Sequence, residues 1–159
     1  MTWLVIGTDA VLGVFALMFL ALWFRFRLRA FLAGAGVVVA YAVSEVVKLV
    51  VQEERPCRTT PSLAECPEPG DWSFPSNHSV IAGASAMAIW VLHRTLGWVA
   101  AVCALAAAAS RVVVGVHYVH DVLAGLLLGA LVSWGIALLL KKKQRSQDDA
   151  PTVVLSRLR

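Results

Sequence analysis

Residues 118–140 read YVHDVLAGLLLGALVSWGIALLL, and Asp121 is the one residue of this stretch with a full charge at neutral pH. A helix that crosses a bilayer needs about 20 mostly apolar residues. The stretch therefore predicts a membrane-spanning helix that starts beside His120 and Asp121. Its aspartate stands out because ionisable groups inside a membrane are energetically expensive.

The rest of the chain follows the same pattern. Of its 159 residues, 59% are hydrophobic and 15% are charged, whereas an ordinary globular domain is about half apolar and a quarter charged. This composition excludes an ordinary soluble domain, a disordered chain, a collagen-like chain and a disulfide-dense secreted module. Four more apolar runs cover residues 3–24, 30–51, 76–92 and 96–114. The sequence thus predicts an all-α integral membrane bundle of about five transmembrane helices, forming one domain over residues 1–140.

The charges between the runs predict the orientation of the bundle. If the runs alternate in direction, ten basic residues fall on one side: Arg25, Arg27, Arg29, Arg94, Lys141, Lys142, Lys143, Arg145, Arg157 and Arg159. Basic loops stay in the cytoplasm, which places the N-terminus outside and a basic tail, residues 141–159, inside. The first run precedes its basic cluster, so we interpret it as a retained span and not as a signal peptide. The topology accounts for the net charge of +4. Nucleic-acid binding would need a basic face interleaved with aromatic residues, and the sequence shows none.

The long loop of residues 52–75 is expected on the outer side and contains Cys57 and Cys66. In an oxidising compartment such a pair is expected to form a disulfide. Two unpaired thiols are the alternative. A zinc site fits less well, because no histidine lies between the two cysteines and a third ligand is lacking.

Six ionisable groups from separate parts of the chain are expected at the outer membrane interface. They are Lys48, Arg55, His78, Arg111, His117 and Asp121. Taken alone, Lys48 could extend to the interface or pair with Glu45. Three cations gathered at one site repel one another unless an anion joins them, and arginine binds phosphate through paired hydrogen bonds. The group therefore predicts a phosphate site.

Two local patterns add to this prediction. The sequence Pro75-Ser76-Asn77-His78 is typical of a helix N-terminus capped by Ser76, and such ends bind anions through free backbone N–H groups. His117 and Asp121 are one helical turn apart, so the carboxylate can fix the imidazole tautomer and leave the other ring nitrogen free to attack phosphorus. A metal site at these residues and His120 is disfavoured by the neighbouring cations.

Together these residues resemble the type 2 phosphatidic acid phosphatases, also called lipid phosphate phosphatases. Three motifs carry the resemblance with the spacing of that superfamily: Lys48 followed by Arg55-Pro56, then Pro75-Ser76-Asn77-His78, then Ser110-Arg111 with His117 and Asp121. The family's common second motif has glycine where this chain has Asn77.

The resemblance implies a role for each of these residues. His117 would be the nucleophile that forms a phosphohistidine, oriented by Asp121, and His78 would be the general acid. The phosphate would be held by Lys48, Arg55, Ser76, Asn77, Ser110 and Arg111. The family needs no metal or other cofactor.

The resemblance also implies a lipid phosphate substrate. The expected activity is hydrolysis of a polyprenyl diphosphate, of undecaprenyl or decaprenyl type, at the outer leaflet of a bacterial plasma membrane. Phosphatidylglycerol phosphate, phosphatidic acid and decaprenylphosphoryl-phosphoribose are alternative substrates. A lipid phosphotransferase and a non-catalytic anion-binding membrane protein are alternative functions.

Overall fold

The structure, a computed structural model, describes residues 2–148, with side chains described over residues 10–142. Four α-helices follow one another: α1 (Thr2–Val51), α2 (Asn77–Leu92), α3 (Arg94–Val113) and α4 (Val119–Asp148). A short 3-10 helix, Pro56–Arg58, lies in the loop between α1 and α2. No strand occurs within residues 2–148, and the prediction of an all-α fold is confirmed for this part of the chain.

Helix α1 is interrupted at Arg27, whose backbone angles (φ 28°, ψ −96°) are not helical. Leu22 belongs to one buried cluster with Ala86 of α2, and Ala40 packs with Ala84 of the same helix. A continuous helix would separate Leu22 from Ala40 by about 27 Å along its axis, at 1.5 Å per residue. Because Ala84 and Ala86 are only two positions apart, the chain must fold back at Arg27. This is where the sequence predicts a connection between two spans.

Three helical stretches are long and apolar enough to cross a membrane: Ala10–Val51, Arg94–Val113 and Val119–Lys142. Helix α2 is also apolar but has only 16 residues. The prediction of about five separate transmembrane helices is therefore not confirmed. The first two apolar runs lie on the two parts of α1, on either side of the interruption at Arg27, and the third run is shorter than a typical span. The chain remains a multi-pass membrane protein by the number of its long apolar helices.

Helix α2 is the centre of the bundle, and α1, α3 and α4 all pack against it. Its buried face consists of small and branched residues: Ser79, Val80, Ala82, Gly83, Ala84, Ser85, Ala86, Ala88 and Ile89. The surrounding helices turn apolar side chains outward, for example Val102 on α3 (66% exposed) and Leu127 on α4 (63% exposed). Such a surface suits contact with lipid tails, which impose no penalty on exposed apolar groups.

Helices α2 and α4 approach each other closely at two glycines of α4. A Cβ atom at Gly129 would lie 2.1 Å from the Val80 carbonyl oxygen, and one at Gly125 would lie 2.7 Å from the Ser76 carbonyl oxygen. Small residues allow this backbone contact between membrane helices. Next to it, the Ser76 backbone N–H donates to the Asp121 carbonyl at 3.2 Å. The packing thus brings the N-terminus of α2 against the start of α4.

The loop of residues 52–75 is covalently closed. Cys57 and Cys66 are joined by a disulfide with an S–S distance of 1.98 Å. Arg58 also donates to the Pro67 carbonyl at 2.8 Å, and Leu63 N–H donates to the Val114 carbonyl at 2.9 Å. The last contact ties the loop to the turn that carries His117.

The basic tail predicted for residues 141–159 begins inside α4, which continues to Asp148. Lys141 and Lys142 therefore lie on a helix. Residues 149–159, with Arg157 and Arg159, lie outside the described part of the chain.

Candidate active site

Three parts of the chain meet at one end of the bundle: the end of α1 with the loop that follows, the start of α2, and the α3–α4 turn. They bring together five buried ionisable side chains: Lys48, Arg55, Arg111, His117 and Asp121. Charged side chains are rarely buried unless they are paired. These residues, for which the sequence predicted a phosphate site, are up to 73 positions apart in the chain.

His117 is held on one side of its ring by Asp121. The distance from His117 Nδ1 to Asp121 Oδ2 is 3.3 Å. The same carboxylate oxygen accepts the Tyr118 backbone N–H at 2.8 Å and the Ser73 hydroxyl. Ser73 Oγ also lies 3.3 Å from His117 Nδ1. Asp121 is therefore fixed by two other donors, and it in turn fixes the imidazole.

The other ring nitrogen of His117 faces Arg55. The distance between Arg55 Nη1 and His117 Nε2 is 2.9 Å. A guanidinium group can only donate hydrogen bonds, so Nε2 must accept and the proton of a neutral imidazole must lie on Nδ1. This assignment follows from the hydrogen-bond partners. It leaves the lone pair of Nε2 directed at the cations, as nucleophilic attack on a phosphate there requires.

The pKa of His117 lies below its ordinary value of 6.5. Burial is the main cause, because it disfavours the charged imidazolium. The positive charges of Arg55 and Arg111 act in the same direction, and together these effects outweigh the opposing influence of Asp121. The ring is therefore neutral near pH 7, and its Nε2 atom carries a lone pair instead of a proton.

Lys48 and Arg55 share one carboxylate, that of Asp71 in the loop. Asp71 Oδ1 lies 3.0 Å from Lys48 Nζ and 3.0 Å from Arg55 Nη2. Arg55 Nε also donates to the Asp71 carbonyl oxygen at 2.8 Å. Glu45, the partner considered for Lys48 from the sequence, is farther away at 3.8 Å. Both cations are about 5% exposed, so Asp71 is the acidic group that balances them most directly.

The pKa of Asp71 lies below its ordinary value. Partial burial alone would raise this pKa, but the hydrogen bonds from Lys48 and Arg55 and the positive charges of the two side chains outweigh burial. Asp71 is therefore ionised near pH 7.

The start of α2 presents Ser76, Asn77 and His78. Ser76 occupies the N-cap position, as predicted, but its side chain makes no capping hydrogen bond. Its hydroxyl is buried and, within the described part of the chain, has no hydrogen-bond partner. The expectation that this hydroxyl caps α2 is wrong, since it does not turn back to the helix amides. It remains available to a ligand. His78 lies half-buried in the first turn of α2.

The Asn77 side chain binds α1. Its Oδ1 accepts the Ser44 hydroxyl at 2.6 Å, and its Nδ2 donates to Glu45 Oε1 at 2.6 Å. Glu45 in turn lies 3.8 Å from Lys48. The asparagine therefore uses its side chain to join α2 to α1, and its backbone N–H is a candidate phosphate donor.

The other motif residues are Pro56, Pro75, Ser110 and Arg111. Arg111 is buried in the last turn of α3, close enough for its charge to act on His117. The Ser110 hydroxyl donates to the Ala107 carbonyl at 2.7 Å. Pro56 starts the 3-10 helix, and its carbonyl accepts the Thr60 backbone N–H at 2.9 Å. Pro75 is fully buried and follows a cis peptide bond.

One group of side chains has the donor atoms for a metal ion. Glu53, His120 and Asp121 place one ligand atom each within 4.8 Å of one another. His120 Nε2 lies 2.8 Å from Glu53 Oε1 and 3.1 Å from Asp121 Oδ1. The contact between His120 and Glu53 is a hydrogen bond, whereas the buried Asp121 Oδ1 has no hydrogen-bond partner within the described residues.

Sequence reasoning missed two residues of this site, Asp71 and Ser73. Asp71 appears in the sequence as one of several acidic residues in a loop, and Ser73 as one of its small polar residues. The single local signal is that both lie within three positions of the Phe74-Pro75 pair at the start of the second motif. Their contacts with Lys48, Arg55 and Asp121 depend on how the loop folds over the helix ends.

Several known proteins are similar to this chain in sequence, and one is similar in fold. The chain is 36% identical over 132 residues to the decaprenylphosphoryl-5-phosphoribose phosphatase of Mycobacterium tuberculosis, covering 82% of this chain and 67% of that protein. It is 35% identical over 99 residues to the undecaprenyl-diphosphatase of Sulfolobus acidocaldarius, covering 61% of this chain and 48% of that protein. It is 29% identical over 131 residues to the undecaprenyl-diphosphatase BcrC of Bacillus subtilis, covering 80% of this chain and 68% of that protein. The chain spans about half the length of some relatives it matches.

Among solved structures, a similar fold occurs in the transmembrane PAP2-type phosphatidylglycerolphosphate phosphatase of Bacillus subtilis. The TM-score is 0.71 at 24% sequence identity, covering 87% of this chain and 75% of that one. The profile of the PAP2 superfamily matches residues 29–145. This range contains all three motifs and most of the chain, and the protein belongs to the PAP2 superfamily.

Proposed function

We propose that this protein is a lipid phosphatase that forms a phosphohistidine on His117. The observation that carries this proposal is the environment of the His117 ring. Asp121 binds the Nδ1 atom of His117. The Nε2 atom of His117 lies 2.9 Å from Arg55, inside a cluster of buried cations. A protein that only binds an anion has no need of an oriented neutral imidazole among those cations.

The chemistry follows from these positions. His117 Nε2 attacks phosphorus, the N–P bond forms, and the P–O bond to the lipid breaks. His78 gives a proton to the departing oxygen. Water then attacks phosphorus, the N–P bond breaks, orthophosphate leaves, and His78 recovers a proton from the water. The phosphorylated ring is cationic, and Asp121 stabilises that charge.

The proposed phosphate contacts use the cations and the start of α2. Lys48, Arg55 and Arg111 would balance the charge of the phosphoryl oxygens. The Ser76 hydroxyl and the backbone N–H groups of Asn77 and His78 would donate to them. Donors fixed before the substrate arrives need no reorganisation during the reaction.

The substrate we propose first is a polyprenyl diphosphate, dephosphorylated at the outer leaflet of a bacterial plasma membrane. Two of the relatives described above are named undecaprenyl-diphosphatases. The outward location rests on the basic residues at the opposite end of the bundle, such as Arg94 and Lys141, by the positive-inside rule. This topology uses each half of α1 as a separate span, with the N-terminus outside.

A polyprenyl-linked sugar phosphate is the second candidate, and one cavity favours it. A cavity of about 300 Å³ borders Lys48 and is also lined by Glu45, Glu68, Asp71 and Trp72. Three carboxylates repel a second phosphate group, whereas they accept hydrogen bonds from hydroxyls. The relative from Mycobacterium tuberculosis is named for such a substrate.

Phosphate release from a panel of lipids by the purified full chain tests this proposal. The panel contains a polyprenyl diphosphate, decaprenylphosphoryl-phosphoribose, phosphatidylglycerol phosphate and phosphatidic acid, each without added metal. His117→Ala should abolish release, whereas His93→Ala, at the opposite end of α2, should retain it. Absence of release from all four lipids by the folded wild-type protein would refute the function, and product analysis with an added lipid acceptor separates hydrolysis from phosphotransfer.

A further inference from the structure

The carboxylate of Asp71 occupies the place where a phosphate anion is expected. Its Oδ1 atom accepts hydrogen bonds from Lys48 Nζ and Arg55 Nη2, both at 3.0 Å. These are the two cations of the first motif, and both side chains are buried. A phosphoryl oxygen bound by the same two cations would have to lie where Oδ1 lies now.

The same contacts keep Arg55 hydrogen-bonded to His117 Nε2, the proposed nucleophile. Arg55 is held by Asp71 through Nε and Nη2, and its remaining terminal nitrogen, Nη1, donates to His117 Nε2 at 2.9 Å. While this bond lasts, the lone pair of Nε2 is occupied and cannot attack phosphorus. Asp71 therefore stabilises an arrangement in which the cations are neutralised and the histidine is protected.

The carboxylate can leave without unfolding the loop. The Asp71 side chain is 46% exposed, although the cations that it binds are buried. Its backbone is anchored separately, because its N–H donates to the Glu68 carbonyl at 3.1 Å and its carbonyl accepts from Arg55. The cavity of about 300 Å³ next to Lys48 and Asp71 provides room for a rotated carboxylate. A change of side-chain rotamer is enough, and exposed side chains make such changes within nanoseconds.

We propose that Asp71 is a positioning residue that competes with phosphate for Lys48 and Arg55. In the empty site it holds both cations in place and keeps Arg55 on His117. A bound phosphate displaces the carboxylate and accepts the hydrogen bonds that Lys48 Nζ and Arg55 Nη2 now make to Asp71 Oδ1. This exposes His117 Nε2. After hydrolysis the returning carboxylate helps to expel orthophosphate. This inference rests on the proposed function, because it assigns a second role within the same phosphate site.

The competition predicts a gain of affinity when the charge of Asp71 is removed. Hydrogen bonds to an ionised acceptor are about twice as strong as those to a neutral one, so Asp71→Asn should compete less well. We expect the Kd of inorganic phosphate, measured by calorimetry on the full chain, to fall about tenfold in Asp71→Asn. The inhibition constant of phosphate in the turnover assay should fall by a similar factor.

Glu65→Gln is the matched control. It removes one negative charge from the same loop, but Glu65 is exposed and is not among the residues that line the cavity. Its phosphate Kd should stay within about twofold of the wild-type value. Asp71→Ala, which removes the acceptor entirely, should bind phosphate at least as tightly as Asp71→Asn and serves as the second variant if one of them folds poorly.

The direction in which the phosphate Kd changes in Asp71→Asn tests the proposal. If Asp71 only kept the two cations in position, phosphate would bind more weakly to Asp71→Asn, and that result would overturn the proposal. An unchanged Kd, or no phosphate binding by either protein, would overturn it as well. Failure of the wild type to hydrolyse any lipid phosphate would instead refute the proposed function, while the order of the phosphate affinities would still decide the role of Asp71.

Discussion

Replacing Asp121 by asparagine removes the charge that faces the His117 ring and leaves the size of the side chain almost unchanged. In the wild type, Asp121 Oδ2 lies 3.3 Å from His117 Nδ1. Two unit charges at this distance attract each other by about 5 kcal/mol at an effective dielectric constant of about 20. In the proposed mechanism, this attraction acts on the phosphorylated, cationic ring and not on the neutral ring of the free protein. The substitution should therefore raise the barrier to phosphorylation and leave substrate binding nearly unchanged.

We expect Asp121→Asn to lower kcat by about 10² to 10⁴, because each factor of ten corresponds to about 1.4 kcal/mol and the amide dipole retains part of the attraction. The assay is phosphate release in detergent micelles or nanodiscs, with kcat and KM determined separately. Glu54→Gln is the control, since it also removes one carboxylate, but from a side chain that is 64% exposed and pairs with Arg58. A kcat for Asp121→Asn within about threefold of the wild-type value would refute the assigned role.

Three further predictions concern pH, packing and metal. His117 must be neutral to attack, and burial lowers its pKa. On acidification, kcat/KM should therefore fall only below the ordinary histidine pKa of 6.5. A fall in kcat/KM that begins above that value would contradict this interpretation. A Cβ at Gly129 would lie 2.1 Å from a backbone oxygen, whereas one at Gly135 meets nothing within 4 Å. Gly129→Ala should thus destabilise the protein by about 3 kcal/mol in a detergent unfolding assay, while Gly135→Ala should be neutral or slightly stabilising; equal stabilities would refute the close contact. Treatment with EDTA should leave phosphate release unchanged, since the proposed charge-balancing groups are side chains of the protein, and restoration of lost activity by a divalent ion would contradict this.

The sequence predicted the elements whose properties are local. Apolar runs indicated the helices, and helix spacing placed His117 and Asp121 on one turn, where the structure finds them in contact. The interruption at Arg27 falls inside the basic cluster that was expected to connect two spans. The apolar run of residues 76–92 also predicted the extent of α2, Asn77–Leu92. The burial of α2 among three other helices could not be predicted, because an apolar run alone does not show burial.

The loop contributions to the site were beyond sequence reasoning for a physical reason. Asp71 reaches Lys48 across 23 positions, and Ser73 reaches Asp121 across 48. Contacts of this range depend on loop closure and helix packing and have no periodicity to reveal them. Asn77 shows the same limit, because its side chain serves the contact with α1 through Ser44 and Glu45. At this position the family commonly has glycine, which has no side chain to make such a contact.

The shortness of α2 has a consequence for how a lipid meets this protein. A helix of 16 residues is about 24 Å long, whereas the hydrocarbon core of a bilayer is about 30 Å thick. With Leu92 level with one face of the hydrocarbon, the end that carries Ser76 and His78 stops about 6 Å short of the other face. Under the proposed function, the phosphate would then have to lie below the plane of the surrounding headgroups to reach His117. A lipid with a long, pliable tail can make this descent sideways from the membrane, while a soluble phosphate ester has no anchor to draw it there.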